Sequence, residues 1–310
     1  MKTLSMYTLT LAACLSFAVF SSYTGNGDQE QTTLSSSDNQ GILPQRIRSI
    51  DLNKSFDFAG ERLPTENFDV RERLDRELLR NAYWHSNTVL NIKKAYRHFP
   101  LIERILAEHG LPQDLKYLAV AESDLSNAVS PAGARGFWQF MKGTARDYKL
   151  EINSDVDERY HLEKSTHAAC QFLKKYKEKF GSWTLAAAAY NMGANGLNKE
   201  IKLQRAKSYY DLNLNQETAR YVFRIVAIKE IMNNPSLFGF YIDEQERYSP
   251  LEEYYLVEVN EPVSNWGDFA AKYGISYRML KIYNPWMISS KLTNRERKTY
   301  KVKIPKPADK

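Results

Sequence analysis

The chain has 310 residues, of which 43% are hydrophobic and 26% charged, a balance typical of a soluble globular protein of about two domains. Its 43 basic residues exceed the 37 acidic ones by only 6, and an excess this small and dispersed argues against a nucleic-acid-binding protein. The cysteines, Cys14 and Cys170, and five scattered histidines show no metal-site spacing, so we expect neither a metal nor another cofactor.

The N-terminal 22 residues are predicted to be a secretory signal peptide. Lys2 precedes an apolar run over residues 4–20, which is the order of parts in a leader. Serines and threonines interrupt this run, and its length barely spans a bilayer, which argues against a permanent anchor. Residues 11–14, Leu-Ala-Ala-Cys, also resemble a bacterial lipobox, so cleavage near residues 21–24 and lipidation of Cys14 both remain open. Both routes predict a periplasmic or cell-envelope protein, associated with a membrane if the leader or a lipid is retained.

Residues 23–85 are predicted to be a tether and an N-terminal extension. Residues 23–41 are rich in serine, threonine, glutamine and glycine, which is typical of a flexible linker. Residues 67–81 have the apolar stripe of a packing helix. Residues 88–109 show further helical pattern, with Pro100 expected near a helix start.

Residues 111–141 contain several candidate catalytic and binding side chains. A short apolar helix over residues 113–121 ends at Glu122, and a carboxylate there would lose solvent and have a raised pKa. A polar turn follows with Ser130 and two glycines, and residues 137–141 are expected to begin another helix. This helix would supply the amide of Gln139 and an aromatic wall from Phe137 and Trp138. An acid, a hydroxyl, an amide and an aromatic wall suit a sugar-binding cleft.

Further helices are predicted over residues 165–180, 183–192 and 217–232. Four consecutive alanines in the middle one would let it approach its neighbours and bring Tyr190 and Asn191 to the floor of the cleft. The acids near enough in sequence to pair with Glu122 are Asp157 and Glu158. We favour a structural role for both, in helix capping and in pairing with Arg159.

Four stretches resemble the ordered signatures of one enzyme family. They are Glu-Ser at residues 122–123, Ser-Pro-Ala-Gly-Ala-Arg-Gly-Phe-Trp-Gln-Phe-Met at 130–141, Ala-Ala-Tyr-Asn-Met-Gly at 188–193 and Glu-Thr-Ala-Arg-Tyr-Val at 217–222. They are similar to those of the lytic transglycosylases of glycoside hydrolase family 23, in particular the membrane-bound lytic murein transglycosylase D type. The resemblance implies a mainly α, goose-type lysozyme-like catalytic domain, which we expect over residues 86–247.

The C-terminal residues 250–307 show a different pattern. A strand is predicted over residues 254–259, helices over 266–273 and 277–283, and a closing strand over 300–304. This β-α-α-β order resembles a LysM carbohydrate-binding module. Residues 260–263, Asn-Glu-Pro-Val, stand where the family usually has Gly-Asp-Thr-Leu, a change that concerns glycan affinity more than fold.

The resemblance implies cleavage of the β-1,4 bond between N-acetylmuramic acid and N-acetylglucosamine in peptidoglycan glycan strands, with formation of 1,6-anhydro ends. Glu122 would be the catalytic residue, first as general acid and then as base. The residues implied in substrate binding and in shaping the cleft are Ser130, Gln139, Tyr190, Asn191, Tyr221 and Glu217. Two alternatives remain open: a lysozyme-like muramidase that uses water and a second acid such as Asp157, and a non-catalytic wall-binding protein.

Overall fold

A computed structural model describes residues 49–306. The predicted leader, Cys14 and the polar tether over residues 23–41 lie outside the described residues. Within them the fold is mainly α, as predicted, with a small α+β module at the C-terminal end. The helices before that module are α1 (Phe68–Tyr83), α2 (His85–Glu108), α3 (Lys116–Ser123), α4 (Lys142–Asp147), α5 (Leu162–Phe180), α6 (Trp183–Met192), α7 (Ala194–Gln204) and α8 (Gln216–Asn233). A short hairpin, β1 (Asp57–Phe58) and β2 (Glu61–Arg62), precedes them.

Helix α8 lies at the centre of the helical part. Helices α1, α3 and α6 pack on it, and it buries apolar residues on all sides, among them Val222, Ile225 and Val226. Such all-round burial is typical of a central helix. The Asn215 side chain caps its first turn by accepting a hydrogen bond from the Thr218 amide at 3.0 Å. Residues carried by α8 are therefore held in fixed positions.

Helix α6 occupies the residues predicted for it. Its four alanines, Ala186 to Ala189, are all completely buried. Because alanine has no side chain beyond Cβ, α6 approaches α5, α7 and α8 closely. The end of α6, with Tyr190 and Asn191, is thereby brought against α8.

Two predicted helix starts were wrong, and α7 was not predicted. Pro100 lies inside α2 rather than near a helix start. A proline inside a helix removes one backbone hydrogen bond, and the buried Ile102, Ile105 and Leu106 in the following turns offset this cost. Residues 137–141 do not begin a helix, because α4 starts only at Lys142.

The C-terminal module has the predicted β-α-α-β order. Strand β3 (Tyr254–Val259) pairs antiparallel with β4 (Tyr300–Pro305), and α9 (Trp266–Lys272) and α10 (Tyr277–Tyr283) lie between them in sequence. Trp266, Leu280 and Val302 are fully buried in its apolar core. Val156, from the helical part of the chain, belongs to the same core and is also fully buried.

None of the helices within residues 49–306 combines the length and the apolar character needed to cross a bilayer.

Candidate active site

Glu122 lies in the last turn of α3, facing α8. Helix α3 ends after Ser123 because Asp124 takes a left-handed conformation, with φ of 51°. Leu125 repeats this with φ of 50°, so the chain reverses sharply just after Glu122. Asparagine and aspartate tolerate this region better than other non-glycine residues, whereas a leucine there must be held by its surroundings.

Helix α2 supplies the contacts that hold this reversal. The side-chain amides of Asn87 and Asn91 both donate to Oδ1 of Asp124 at 2.9 Å. Lys94 donates to the backbone carbonyl of Asp124, also at 2.9 Å. Sequence reasoning missed this set of residues, because asparagine and lysine on a helix surface give no signal of a partner across the fold.

The Glu122 carboxyl group is bound by Tyr221 of α8, whose hydroxyl donates to Oε1 at 2.5 Å. Loss of solvent raises the pKa of Glu122 to about 7, and this effect outweighs the Tyr221 hydrogen bond and the positive charge of Arg224, which both lower it. The negative charge of Glu217 raises it further. A carboxyl group with this pKa is protonated in a large fraction of molecules near neutral pH, which suits a general acid.

The loop over residues 126–140 (the substrate loop) is held by short backbone bridges rather than by a helix. Arg135 pairs antiparallel with both Val129 and Phe140. Gly136 and Gln139 have positive φ angles of 79° and 47°, which a continuous helix cannot contain. These angles explain why the helix predicted for residues 137–141 does not form.

Gln139 and Ser130 mainly bind their own loop. The Gln139 side-chain amide donates to the carbonyls of Gly136 at 2.7 Å and Ala128 at 3.0 Å. The Ser130 hydroxyl accepts from the Ala134 amide at 3.0 Å. Neither has a hydrogen bond to Glu122 among the contacts of residues 49–306. Both therefore keep the loop in shape. Within residues 49–306 the side-chain carbonyl oxygen of Gln139 accepts no hydrogen bond from the protein.

The predicted aromatic wall is part of the core instead. Trp138 is fully buried and Phe137 is 5% exposed. The Trp138 indole donates to Thr166 at 2.9 Å, and the buried Ser123 hydroxyl donates to the Phe137 carbonyl at 2.8 Å. The pattern was misread because two adjacent aromatics in a turn pack inward when the backbone between them is not helical.

Tyr190 lies close to Glu122 and anchors the substrate loop. Its hydroxyl donates to the Trp138 carbonyl at 2.6 Å. Burial and the negative charge of Glu122 raise its pKa well above the ordinary value, so it stays a neutral hydrogen-bond donor. The neighbouring Asn191 accepts from the Thr218 hydroxyl of α8 at 2.7 Å, which joins the end of α6 to the first turn of α8.

Glu217 is exposed and does not touch Glu122. Its two carboxylate oxygens accept from the Arg224 guanidinium at 2.9 and 3.2 Å. Arg224 also lies 3.9 Å from the buried Glu77 of α1, which binds Arg220 more closely, at 2.5 Å. Glu217 and Arg224 thus act on Glu122 through their charges, and these charges oppose each other.

Asp157 caps a helix and pairs with Arg159 as predicted, whereas Glu158 is buried and bound but pairs with Lys164 instead of Arg159. Asp157 caps the 3-10 helix Glu158–Tyr160 and binds the Arg159 guanidinium through both oxygens, at 2.9 and 2.7 Å. Glu158 pairs with Lys164 and accepts from the Glu151 amide at 2.8 Å. Both carboxylate oxygens of Asp157 are therefore occupied by the Arg159 guanidinium.

Tyr221 therefore contacts the Glu122 carboxyl group directly, and Arg224 and Glu217 act on it through their charges. The neutral Tyr190 is close enough for its pKa to respond to the charge of Glu122. Ser130, Gln139 and Asn191 support the surrounding backbone. A cavity of about 360 Å³ lies between Arg73 of α1 and residues 210–214, and none of the predicted site residues lines it. Over residues 49–306 no cluster of three or more histidine, cysteine or acidic side chains is arranged to hold a metal ion.

Comparison with known proteins finds relatives of this chain. The chain is 30% identical to the membrane-bound lytic murein transglycosylase D of Escherichia coli K12 over 244 residues, which is 76% of this chain and 52% of the relative. It therefore spans about half the length of that protein. It is 32% identical over 119 residues, 37% of this chain and 58% of the relative, to a putative tributyltin chloride resistance protein of an Alteromonas species.

Two solved structures show a more distant likeness. An inactive mutant of the lytic transglycosylase Slt of Pseudomonas aeruginosa matches 49% of this chain and 26% of its own, with 23% identity and a TM-score of 0.38. The 70 kDa soluble lytic transglycosylase of Escherichia coli matches 48% and 26%, with 20% identity and the same TM-score.

Family comparison covers the region of Glu122 and the C-terminal module separately. Residues 100–213 match the transglycosylase SLT domain, and residues 255–308 match the soluble lytic transglycosylase C-terminal LysM-like domain. These matches confirm the resemblance drawn from the four motifs and from the β-α-α-β pattern. The chain carries a transglycosylase SLT domain followed by a LysM-like domain of the type found in the soluble lytic transglycosylases.

Proposed function

We propose that this chain is a peptidoglycan lytic transglycosylase that cleaves the β-1,4 bond between N-acetylmuramic acid and N-acetylglucosamine. The observation that carries the proposal is the carboxyl group of Glu122, whose pKa is raised to about 7 by burial and which is held by Tyr221. Its position inside a transglycosylase SLT domain supports the choice of substrate.

In the first step Glu122 acts as general acid. Its proton passes to the oxygen that links the two sugars, and the bond between that oxygen and the anomeric carbon of N-acetylmuramic acid breaks. The oxygen leaves as the 4-hydroxyl of N-acetylglucosamine. The acetamido group of N-acetylmuramic acid stabilises the positive charge that develops at the anomeric carbon, which removes the need for a protein carboxylate there.

In the second step Glu122, now a carboxylate, acts as base. It takes the proton from the 6-hydroxyl of N-acetylmuramic acid, whose oxygen bonds to the anomeric carbon and closes the 1,6-anhydro ring. Glu122 is protonated again and no water is consumed. Transfer of a proton by a positioned group of this kind is worth roughly 10²–10⁴-fold in rate.

The surroundings of Glu122 favour ring closure over hydrolysis. Most glycosidases use two carboxylates, one of which activates water or attacks the sugar. Both acids considered as partners of Glu122 are already bound, Asp157 to Arg159 and Glu158 to Lys164, and Glu217 is bound to Arg224. None of these three carboxylates is free to activate a water molecule beside the sugar, whereas the 6-hydroxyl has Glu122 itself.

The other predicted site residues position either the substrate or the Glu122 carboxyl group. Tyr221 orients the Glu122 carboxyl group, and Tyr190 and Asn191 keep the ends of α6 and α8 beside it. Ser130 and Gln139 shape the substrate loop. Their remaining hydrogen-bonding groups are available to the sugar substrate. The LysM-like module adds binding to the insoluble wall. A wall substrate also agrees with the predicted leader and with a location in the periplasm or cell envelope, where a retained leader or a lipid on Cys14 would add contact with a membrane.

Product analysis by mass spectrometry on purified murein tests this function. We expect released muropeptides that end in 1,6-anhydro-N-acetylmuramic acid, lighter by one water than muramidase products and without a reducing end. Mainly reducing-end products would identify a muramidase instead. Binding of murein without any release, by a folded protein, would identify a wall-binding protein.

A further inference from the structure

The LysM-like module is joined to the SLT domain by backbone hydrogen bonds. The segment over residues 151–161 (the bridging loop) pairs with residues 286–288 of the module. The Asp157 amide donates to the Trp286 carbonyl at 2.9 Å, and the Ile288 amide donates to the Asp155 carbonyl at 3.0 Å. Between them Val156 and Met287 form an antiparallel bridge. This geometry is that of a short shared sheet rather than of a loose contact.

Side chains strengthen the same junction. The Asp155 carboxylate accepts from the Thr293 amide at 2.8 Å. Glu151 accepts from the Tyr300 hydroxyl at 2.7 Å and pairs with Lys298. Val156 is fully buried in the apolar core of the module, so separating the two parts would expose it to water.

On its other side the bridging loop binds the substrate loop. The Arg159 guanidinium, bound by Asp157, donates to the carbonyls of Gly133 at 3.0 Å and Phe140 at 3.1 Å. The backbone of Gly136 comes so close to Arg159 that a Cβ atom there would lie 1.9 Å from the Arg159 carbonyl oxygen. The exposed fractions of the Asp157 and Arg159 side chains are 1% and 4%, and buried ion pairs of this kind tolerate little movement.

Asp157 therefore takes part in both contacts at once. Its backbone amide is bound by the module, and its carboxylate orients the arginine that holds the substrate loop. A shift of the module moves the amide, and with it the carboxylate and Arg159. Packed networks of this kind have discrete rather than continuous arrangements.

We propose that the LysM-like module positions the substrate loop of the SLT domain, with Asp157 and Arg159 as the positioning residues that connect them. The module thus acts on turnover as well as on wall binding. The consequence for turnover rests on the proposed transglycosylase function. The structural coupling between the module and the substrate loop does not depend on that function.

Hydrogen exchange followed by mass spectrometry in the 310-residue chain measures the coupling directly. The variant Asp155→Ala removes the acceptor of the Thr293 amide, and Glu151→Ala with Asp155→Ala also removes the contacts of Tyr300 and Lys298. We expect exchange about tenfold faster over residues 286–293, since these hydrogen bonds hold the junction closed. We expect a matching increase over residues 128–140, where the Arg135, Gly136 and Gln139 amides are bonded within the loop.

Two matched variants give the comparison. Lys306→Ala removes an exposed ion pair with Glu253 inside the module, away from the junction, and should leave exchange over residues 128–140 unchanged. Asp155→Asn keeps an oxygen that can accept from the Thr293 amide, and should restore most of the protection lost in Asp155→Ala. In assays on soluble glycan fragments, kcat should fall about tenfold in the double variant with a smaller change in KM, because the loop positions the reacting sugar.

Faster exchange at residues 286–293 with no change at residues 128–140 would overturn the coupling. So would a double variant in which the junction stays fully protected, since the contacts named above would then not hold the module. If wild-type protein forms no anhydro product, the proposed function fails. The exchange results still decide on the coupling, because they need no substrate.

Discussion

The Tyr221 hydroxyl lies 2.5 Å from Oε1 of Glu122 and opposes the effect of burial on that carboxyl group. Burial favours the protonated form, whereas the hydrogen bond favours the carboxylate. The result is a pKa of about 7, near the range in which one group can give and take a proton at similar cost. A mechanism that uses Glu122 twice needs this balance more than it needs a strong acid.

Replacing Glu122 with glutamine should abolish wall lysis and leave the fold intact. The amide has nearly the same shape and can still accept the Tyr221 hydrogen bond, but it cannot deliver a proton. We expect a fall in kcat of at least about 10²–10⁴-fold, measured as release of soluble muropeptides from murein. Circular dichroism of the same preparation serves as the control for folding, and undiminished lysis by the folded variant would contradict the assignment.

The raised pKa of Glu122 also predicts a dependence of stability on pH. With a folded-state pKa of about 7 against 4.5 for a free glutamate, the folded protein holds a proton that the unfolded chain has lost between these values. The contribution of Glu122 to the free energy of unfolding should therefore be most favourable below about pH 4.5. It should fall as the pH rises to about 7.

The variant Glu122→Gln lacks this titration. At pH 8 it should be more stable than wild type by about 1–3 kcal/mol, since each pKa unit corresponds to ~1.4 kcal/mol. The gain should vanish near pH 4. Urea denaturation of both proteins over this range measures the difference, and parallel pH curves would show that Glu122 is not held in a desolvated site.

Replacing Tyr221 with phenylalanine should move the pH profile of lysis to higher pH. The tyrosine hydrogen bond lowers the pKa of Glu122, so its loss raises that pKa and keeps the acid protonated further into the alkaline range. We expect kcat to fall roughly tenfold at the same time, because the carboxyl group loses its orienting contact. A matched control is Tyr209→Phe, which removes buried hydrogen bonds to the Thr218 and Ala219 carbonyls of α8 without touching Glu122. An unshifted profile in Tyr221→Phe would exclude this role.

Periodic helices were predictable from the sequence, and the loop between them was not. Helix α6, and each helix and strand of the C-terminal module, follows one regular apolar pattern along its length. The bounds of these elements were therefore predicted closely. The position of Glu122 at the end of a short apolar helix was also predictable, as was the capping role of Asp157.

The shape of the substrate loop depends instead on contacts across the fold. The inward turn of Trp138 requires the positive φ angles of Gly136 and Gln139. Gly136 lies against the backbone of Arg159, which is distant in sequence, and the Arg159 guanidinium binds the Phe140 carbonyl. Likewise, nothing in the sequence of Asp157 indicates that its amide is bound by Trp286 of the module. Such pairings carry no local pattern, and a single sequence cannot supply them.

Gly136 is expected to be far less replaceable than Gly133, although both belong to the same motif. Both have positive φ angles, of 79° and 87°, so an alanine at either position is strained by about 1–2 kcal/mol. An added Cβ at Gly133 meets no atom within 4 Å, whereas at Gly136 it would overlap the Arg159 carbonyl. We therefore expect Gly136→Ala to cost about 1–3 kcal/mol more than Gly133→Ala, measured by urea denaturation. Equal losses would show that the close approach to Arg159 is absent in solution.

The variant Asp157→Asn separates a transglycosylase from a muramidase. If Asp157 were a second catalytic acid, its loss would end the chemistry. If it positions Arg159, breaking the buried ion pair should lower the free energy of unfolding by up to about 3–5 kcal/mol and slow turnover, but leave the product unchanged.

Ring closure should still prevail in this variant because its nucleophile is part of the substrate. Intramolecular positioning of a reacting group is worth effective molarities of about 10⁵–10⁸ M, against on the order of 10² M for bulk water. Without a carboxylate to orient a water molecule, attack by the 6-hydroxyl on the anomeric carbon should be faster than attack by water, with or without Asp157. Mass spectrometry of the muropeptides released at a temperature where Asp157→Asn remains folded should thus find 1,6-anhydro ends. Reducing ends from wild type would make the enzyme a hydrolase. No product at all from the folded variant would assign the role of a second catalytic acid to Asp157.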